Sequence, residues 1–156
     1  TGEVGPSDLT LQQLLEESLN TAGHMRVAIE NPLQGLKLSY EQLDIVTARL
    51  ANHLRDKCGV GPGTVVAVAA ERSVETVVAL LSVTRAGAAY LPVDVSYPAA
   101  RLRLMLNETN ALALLCHKAR ATEWQAVVAS AACTLEPVDC NVLLSRSSAP
   151  ASSSTL

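Results

Sequence analysis

The stretch Thr84-Arg-Ala-Gly-Ala-Ala-Tyr-Leu-Pro-Val-Asp94 decides the fold of this chain, because it joins the end of a helix to a strand. Gly87 can adopt the left-handed conformation that ends helices. Ala88 to Leu91 then form a short apolar run, which predicts a buried strand, and Pro92 is expected to stop it because proline cannot donate a ladder hydrogen bond. A helix that leads directly into a strand is the repeating element of α/β proteins.

The same alternation extends on both sides of this stretch. Upstream, Val65 to Ala69 is a continuous apolar run typical of a buried parallel strand, and Ser73 caps the next helix, which has Glu75 in its first turn. Downstream, the pattern predicts a helix with Pro98 at its first position, followed by a strand, a helix and a last strand at residues 111–116, 119–130 and 133–138. The fold class is therefore α/β, with right-handed βαβ units forming a parallel sheet flanked by helices.

Two further helices are marked by capping boxes nearer the amino terminus. Thr10 is followed by Gln13 and Ser39 by Gln42, so each pair can satisfy free amides of a first helical turn. Gly59 is expected to end the second of these helices. Between the helices, residues 27–29 and 36–38 are predicted as short strands joined by a turn. The first helix is predicted to carry four leucines on one face: Leu11, Leu14, Leu15 and Leu19.

Composition and charge exclude several classes of function. The 156 residues are 49% hydrophobic and 17% charged, as in one globular domain, and the net charge of −3 argues against a nucleic-acid or anionic-membrane surface. No signal peptide is evident, and the longest apolar run is too short to span a bilayer. The one local excess of basic residues is expected to be the solvated faces of two helices: Arg101, Arg103, Lys118 and Arg120.

The cysteines and histidines predict no metal or nucleophilic site. No two cysteines are closely spaced, so neither zinc nor a disulfide framework is predicted, and reduced structural thiols in a cytoplasmic protein are expected. Cys116 and His117 are adjacent on a strand and point to opposite faces, which is poor geometry for a shared ligand. No Ser-His-Asp or Cys-His arrangement can be assembled. The residues concerned are Cys58, Cys116, Cys133, Cys140, His24, His53 and His117.

Two segments suggest a ligand site, and each also has a plain structural interpretation. Gly59-Val-Gly-Pro-Gly63 is glycine-rich like a phosphate loop, but it follows a helix and opens a strand, the reverse of phosphate-binding turns, so a structural turn is favoured. Glu71-Arg72 and Asp94 follow the carboxyl ends of predicted strands, where open α/β sheets bind ligands. They could orient a polar ligand; alternatively, Glu71 pairs with Arg72, and Asp94 caps the turn before Pro98.

Four motifs follow one another along the chain: Leu38-Ser-Tyr-Glu-Gln-Leu43, Glu71-Arg-Ser73, Thr84 to Asp94 and Tyr97-Pro-Ala-Ala-Arg-Leu102. This ordered set resembles the adenylation domains of non-ribosomal peptide synthetases, which belong to the AMP-binding superfamily. Leu38-Ser-Tyr-Glu-Gln-Leu43 is similar to the first core motif of that family, with one glutamine in place of a glutamate. Thr84 to Asp94 is similar to the second, although Val95 stands where proline is common. Glu71-Arg-Ser73 and Tyr97-Pro-Ala-Ala-Arg-Leu102 are also typical, and the resemblance covers residues 9–144.

The resemblance implies the first part of the large amino-terminal subdomain of an adenylate-forming enzyme, with residues 1–144 in that domain and 145–156 as a serine-rich flexible tail. Such enzymes condense a carboxylate, usually an amino acid, with ATP and Mg²⁺, and pass the acyl group to a phosphopantetheine arm on a carrier domain. The catalytic parts of the family lie beyond these motifs. No catalytic, cofactor-binding or metal-binding residue is therefore assigned to this chain, which is expected to be inactive by itself.

The partners implied by the resemblance are the remainder of the adenylation domain and the carrier and condensation domains. An MbtH-like accessory protein is a further implied partner, docking near Ala88 and Ala89. Neither nucleic acid nor a membrane is expected as a partner. Two other interpretations stay open: a fragment of an acyl-CoA synthetase-like enzyme, and a non-catalytic truncated α/β binding module.

Overall fold

The computed structural model describes residues 10, 13, 14, 16, 17, 23 and 25–145. The capping box predicted at Thr10 is present: its amide donates to Gln13 Oε1 at 2.7 Å, and the Gln13 amide donates to Thr10 Oγ1 at 3.2 Å. Residues 13, 14, 16 and 17 are helical. Leu14 is exposed, and the other members of the predicted leucine face lie outside the described residues, as does His24.

Residues 25–145 form six strands and five α-helices. The chain order alternates strand and helix from residue 65 onward, as the sequence predicts, and a single 3₁₀ turn at Lys118–Arg120 follows the fifth strand. The elements are β1 (Val27–Asn31), β2 (Leu36–Ser39), α1 (Tyr40–Cys58), β3 (Val65–Ala70), α2 (Val74–Arg85), β4 (Ala89–Asp94), α3 (Ala99–Glu108), β5 (Ala113–His117), α4 (Ala121–Val128), β6 (Thr134–Val138) and α5 (Cys140–Ser145).

Strands β3 to β6 form one parallel sheet in the order β4-β3-β5-β6, which confirms the predicted fold class. β1 and β2 form a separate antiparallel hairpin. Along β3, Val66 and Val68 pack on one face of the sheet and Ala67 and Ala69 on the other, because successive strand side chains point to opposite faces. Helices α1, α2 and α5 cover the first face, and α3 and α4 cover the second.

Helix α1 begins and ends at the residues predicted from the sequence. The Ser39 amide donates to Gln42 Oε1 at 2.9 Å and the Gln42 amide donates to Ser39 Oγ at 3.2 Å, which completes the capping box. Gly59 follows the last turn with φ 67°, in the left-handed region. A Cβ placed on Gly59 would meet no atom within 4 Å. Any strain from a side chain there would therefore arise from the backbone angle alone.

Gly59→Ala is expected to lower the free energy of unfolding by about 1–2 kcal/mol, because the left-handed conformation brings Cβ too close to a backbone oxygen. Gly59→Asn is the matched control and should lose less, since asparagine tolerates this conformation. Urea unfolding, followed by the fluorescence of the single tryptophan, measures both losses. Equal losses in the two variants would contradict the assignment of the effect to φ.

Pro92 and Pro137 lie in the two outer strands of the sheet, and this position explains why the predicted end of β4 is wrong. β4 continues through Pro92, where the sequence predicted a stop. The Ala89 amide of this edge strand donates inward to Thr64, so by alternation the backbone at Pro92 faces away from β3, where no ladder bond is required. Pro137 in β6 is placed in the same way, since the Thr134 amide donates toward β5. Both edges are therefore blunted against pairing with other chains.

The last described helix, α5, was not predicted from the sequence. Asp139 begins it, because its Oδ1 accepts hydrogen bonds from the amides of Asn141 at 3.0 Å and Val142 at 3.3 Å. Pro98 also differs from the prediction, since it precedes α3 and does not occupy its first position. Ser145 ends α5, and residues 146–156 lie outside the described residues, so the serine-rich tail stays a prediction.

Candidate functional site

The carboxyl edge of the sheet contains a topological switch point between β3 and β5. The chain leaves β3 through α2, which packs on one face of the sheet, and leaves β5 through α4, which packs on the opposite face. In open α/β sheets, a ligand crevice forms where neighbouring connections diverge in this way. The residues that follow β3 and β5 are therefore the candidate site, and Glu71 and Arg72 lie there as the sequence predicted.

Glu71 is held by a cation from the opposite side of this crevice. Its Oε1 is 2.8 Å from Nη1 of Arg120, and Nε of Arg120 donates to Glu123 Oε2 at 2.7 Å. The hydrogen bond to Glu123 and the charge of Glu71 raise the pKa of the Arg120 guanidinium. The alternative in which Glu71 pairs with Arg72 is wrong, because among the described residues the ion-pair partner of Glu71 is Arg120. The ion pair instead ties the β3 loop to the β5 loop.

Asp94 caps its own turn, as one of the two interpretations of the sequence proposed. Its Oδ1 accepts from the Ser96 hydroxyl at 2.7 Å and from the Ser96 amide at 2.8 Å, and these bonds lower the pKa of the Asp94 carboxyl. Asp94 is the register partner of Ala70 and so lies beside the start of the β3 loop, but its carboxylate contacts Ser96 and takes no part in the Glu71–Arg120 pair. Of the three predicted residues, Glu71 and Arg72 therefore lie in the crevice, whereas Asp94 caps a turn.

The other predicted basic residues are occupied by local contacts. The guanidinium of Arg101 stacks over the Tyr97 ring, 4.1 Å from its centre. Lys118 and Arg120 pair with carboxylates. Arg103 is the exception, since its buried Nε has no hydrogen-bond partner among the described residues. These residues do not form one basic patch for a polyanion.

Glu75 is a crevice residue that sequence reasoning placed only in the first turn of α2. Its side chain is buried, and it is 6% exposed as a residue. Oε2 accepts from Gln34 Nε2 at 3.2 Å and lies 3.8 Å from Nε2 of His117. Nδ1 of His117 accepts from the Ala119 amide at 3.2 Å, so the proton of the neutral ring lies on Nε2, the nitrogen nearest Glu75.

Two cavities of about 340 and 400 Å³ are lined in part by the end of β6, and Glu75 lines the larger one. At its rim, Lys118 Nζ lies 3.1 Å from Asp139 Oδ2. Burial raises the pKa of the Asp139 carboxyl, but the hydrogen bonds from Lys118, Val142 and Asn141 outweigh burial and hold that pKa below its ordinary value. Because Lys118 is neutralised by Asp139, the cavity keeps the negative charge of Glu75.

A sequence signal for these additional residues was available. His117 and Lys118 end and follow β5, and Asp139 follows β6, so they occupy the same positions relative to their strands as Glu71 does to β3. Sequence reasoning missed them because it considered His117 only as a partner of Cys116. The predicted divergence of that pair is confirmed, since Cys116 packs with α3 and α4, whereas His117 approaches Glu75.

The segment from Gly59 to Gly63 is a structural turn, as predicted. The amide of Val60 donates to Leu54 O at 3.2 Å, that of Gly61 to Thr64 Oγ1 at 2.9 Å, and that of Thr64 to Gly61 O at 3.1 Å. These amides are satisfied within the turn and are not free to bind phosphate. The turn also precedes β3, at the edge of the sheet opposite the crevice.

None of the described cysteines forms a disulfide bond, and each has a thiol of low reactivity. Burial raises the pKa of Cys58, Cys116 and Cys133 to about 11 and that of Cys140 to about 12. Such thiols stay protonated near neutral pH and are poor nucleophiles. Cys58 and His53 both contact Glu136, at 3.5 and 2.8 Å, and these contacts fasten α1 to β6.

ATP and Mg²⁺ do not fit the residues that the structure describes. The amides of Val60, Gly61 and Thr64 in their glycine turn already have partners, and across this part of the chain no group of three His, Cys, Asp or Glu side chains is arranged to hold a metal ion. The carboxylates of the crevice are occupied by Arg120, Lys118 and neutral donors. In the same part of the chain, no helix combines the length and the apolar character needed to cross a membrane.

Known proteins share both the sequence and the fold of this chain. The family model for AMP-binding enzymes matches residues 15–155. Bacitracin synthase 3 of Bacillus licheniformis is 44% identical over 115 residues, which are 73% of this chain and 2% of the synthase. Gramicidin S synthase 2 of Brevibacillus brevis is 39% identical over 111 residues, 70% of this chain and 2% of that protein. The chain thus spans a small part of the length of these curated relatives.

Two solved structures illustrate the likeness of the fold. ATP-bound MatB from Rhodopseudomonas palustris matches 87% of this chain and 28% of its own, with a TM-score of 0.70 and 25% identity. The nonribosomal peptide synthetase FmoA3, solved with α-methyl-L-serine-AMP, matches 90% of this chain and 15% of its own, with a TM-score of 0.70 and 26% identity. A parallel sheet shared with these enzymes, and a family match from residue 15 to residue 155, make this chain a member of the AMP-binding enzyme family.

Proposed function

We propose that this chain is the first α/β part of an adenylation domain in a nonribosomal peptide synthetase. The whole enzyme activates an amino acid or related carboxylic acid with ATP, forming an acyl-adenylate and releasing pyrophosphate. The acyl group then passes to the thiol of a phosphopantetheine arm on a carrier domain. The observation that carries the proposal is the 44% identity to bacitracin synthase 3, and the fold shared with FmoA3, solved with α-methyl-L-serine-AMP, supports it.

In this proposal, the described residues hold the fold in place and do not carry out the chemistry. The Glu71–Arg120 ion pair fixes the two loops at the switch point, and Asp94 fixes the turn after β4. The side chains in these two contacts are occupied by each other and are not available as a nucleophile or for binding phosphate. We therefore place the contacts with ATP and Mg²⁺ in the remainder of the enzyme.

The partners of this proposal are the remainder of the adenylation domain and the condensation and carrier domains of a multidomain synthetase, in the cytoplasm. An MbtH-like protein is a further candidate partner. Ala89 is exposed and the preceding Ala88 is half-buried, at the outer edge of the sheet. Co-purification with an MbtH-like protein tests this partnership, and its absence would remove the partner from the proposal.

Pyrophosphate exchange tests the division between scaffold and catalyst. Residues 1–156 should catalyse no amino-acid-dependent exchange between ATP and pyrophosphate, because we find no phosphate site among the residues that the structure describes. The same chain, extended to the length of a relative's adenylation domain, should catalyse it with at least one carboxylic acid. Exchange by residues 1–156 alone would overturn the scaffolding role, and an extended enzyme inactive with every acid tested would overturn adenylation itself.

The solved structures do not separate peptide synthetases from other adenylate-forming enzymes. MatB and FmoA3 match this chain with the same TM-score, so an acyl-CoA synthetase-like enzyme is the second candidate. The curated peptide synthases favour the first. A non-catalytic module is distinguished by the coding sequence after Leu156, where a stop codon would favour the module and a Ser/Thr/Gly loop ending in Pro-Lys-Gly would favour an enzyme.

A further inference from the structure

The buried carboxylate of Glu75 has no cationic partner within the described part of the chain. No lysine or arginine described there lies within 4.0 Å of it. Its neighbours are the Gln34 amide at 3.2 Å, the Cys140 thiol, and the His117 ring at 3.8 Å. A buried charge that meets only neutral donors is poorly compensated compared with one that meets an opposite charge.

The geometry at His117 directs its Nε2 toward Glu75. Its Nδ1 accepts a hydrogen bond from the Ala119 amide at 3.2 Å. The ring N–H that faces Glu75 is therefore on Nε2, which lies 3.8 Å from Glu75 Oε2.

The adjoining cavity can admit a ligand that supplies the missing charge. Its volume of about 400 Å³ is that of a small-molecule site, and it is open to solvent on one side. The one lysine of its lining, Lys118, is engaged by Asp139 at 3.1 Å. The lining consists of Glu75, His117, Lys118, Ala119, Val138, Asp139 and Asn141.

We propose that this cavity binds a primary ammonium group, held by a charge-assisted hydrogen bond to the Glu75 carboxylate. The ammonium donates three hydrogen bonds and carries the charge that the site lacks. The ammonium belongs either to a free small amine or to a lysine side chain of another polypeptide segment. The inference does not depend on adenylation activity.

An NMR titration of residues 1–156 tests the proposal. The ¹⁵N shift of His117 Nε2 is followed while propylammonium chloride is added in phosphate buffer, which contains no competing amine. A saturable shift with a millimolar Kd is expected, as for a single charge-assisted contact in an open site. Sodium chloride and 1-propanol at matched concentrations should produce no saturable shift. A similar response to all three compounds would overturn the proposal.

Two variants locate the binding at Glu75. Glu75→Gln should weaken propylammonium binding by about tenfold or more, because the charge-assisted bond is lost. Asp94→Asn, which removes an exposed carboxylate at the same sheet edge, should bind as the unaltered chain does. Unchanged binding in a folded Glu75→Gln variant would contradict the proposal. If that variant does not fold, as judged by tryptophan fluorescence, the comparison of the three compounds on the unaltered chain decides.

A second ligand distinguishes the two sources of the ammonium. N-acetyl-lysine methylamide carries the same group on a peptide backbone. Binding of both ligands supports a lysine side chain as a possible occupant, and binding of propylammonium alone supports a free amine. Failure of both to bind overturns the site while leaving the proposed adenylation function untouched.

Discussion

Leu115→Ala is expected to lower the free energy of unfolding by about 2–5 kcal/mol, because it removes a fully buried side chain and leaves a cavity. Leu115 is 0% exposed and lies in β5, which has a strand on each side. It packs on the face covered by α1, α2 and α5. Since small domains are stable by only about 5–15 kcal/mol, this loss is a large share of the total. Urea unfolding followed by Trp124 fluorescence measures it.

Leu104→Ala is the matched control on the surface of α3. Leu104 is 56% exposed, so the same truncation should change the free energy of unfolding by about 0.5 kcal/mol or less. The contrast depends only on burial, since the substitution is chemically identical. Equal losses at the two positions would contradict the assignment of Leu115 to the core.

Trp124→Ala is expected to lower the free energy of unfolding by about 3–5 kcal/mol, because Trp124 is the largest side chain on the opposite face of the sheet. It is 3% exposed and packs with α3, β3 and β5. The chain contains no phenylalanine and one tryptophan, and Tyr97, which also packs against this core, is only partly buried. Unfolding is followed by far-UV circular dichroism, because the variant lacks the fluorescent probe.

Trp124→Phe separates the volume of the ring from its polar group. The buried indole Nε1 has no hydrogen-bond partner among the described residues, so phenylalanine removes an unsatisfied donor as well as some volume. The expected loss is below about 1.5 kcal/mol, because the two effects oppose each other. A loss as large as that of Trp124→Ala would indicate that Nε1 is satisfied in solution.

The elements that the sequence predicted well are those set by local chemistry. The valine-rich run of β3 alternates between two buried faces, which is why it reads as continuously apolar. The capping box at Ser39 and the left-handed Gly59 depend on residues three or fewer positions away or on one backbone angle. Such signals need no knowledge of the tertiary structure, and the parallel α/β fold followed from their order.

The wrong boundaries are those that depend on a neighbouring strand. Whether Pro92 ends β4 depends on which way its backbone faces, and this is known only once β4 is found at the edge of the sheet. Helix α5 depends partly on local contacts and partly on a contact with another element. Asp139 begins it locally, while the Arg49 guanidinium bonds the carbonyls of Leu143 and Leu144 near its end from another helix.

By itself, the sequence determined the order of strands and helices, the family to which the chain belongs, and the positions of Glu71, Arg72 and Asp94 at strand ends, because all of these depend on short-range patterns. Only the tertiary structure decided their partners. Glu71 meets Arg120, and Glu75 meets His117, across the divergence of β3 and β5. Side chains distant in sequence come within a few ångströms only when the strands pair, and the pairing sets which charges are compensated and which, like that of Glu75, are not.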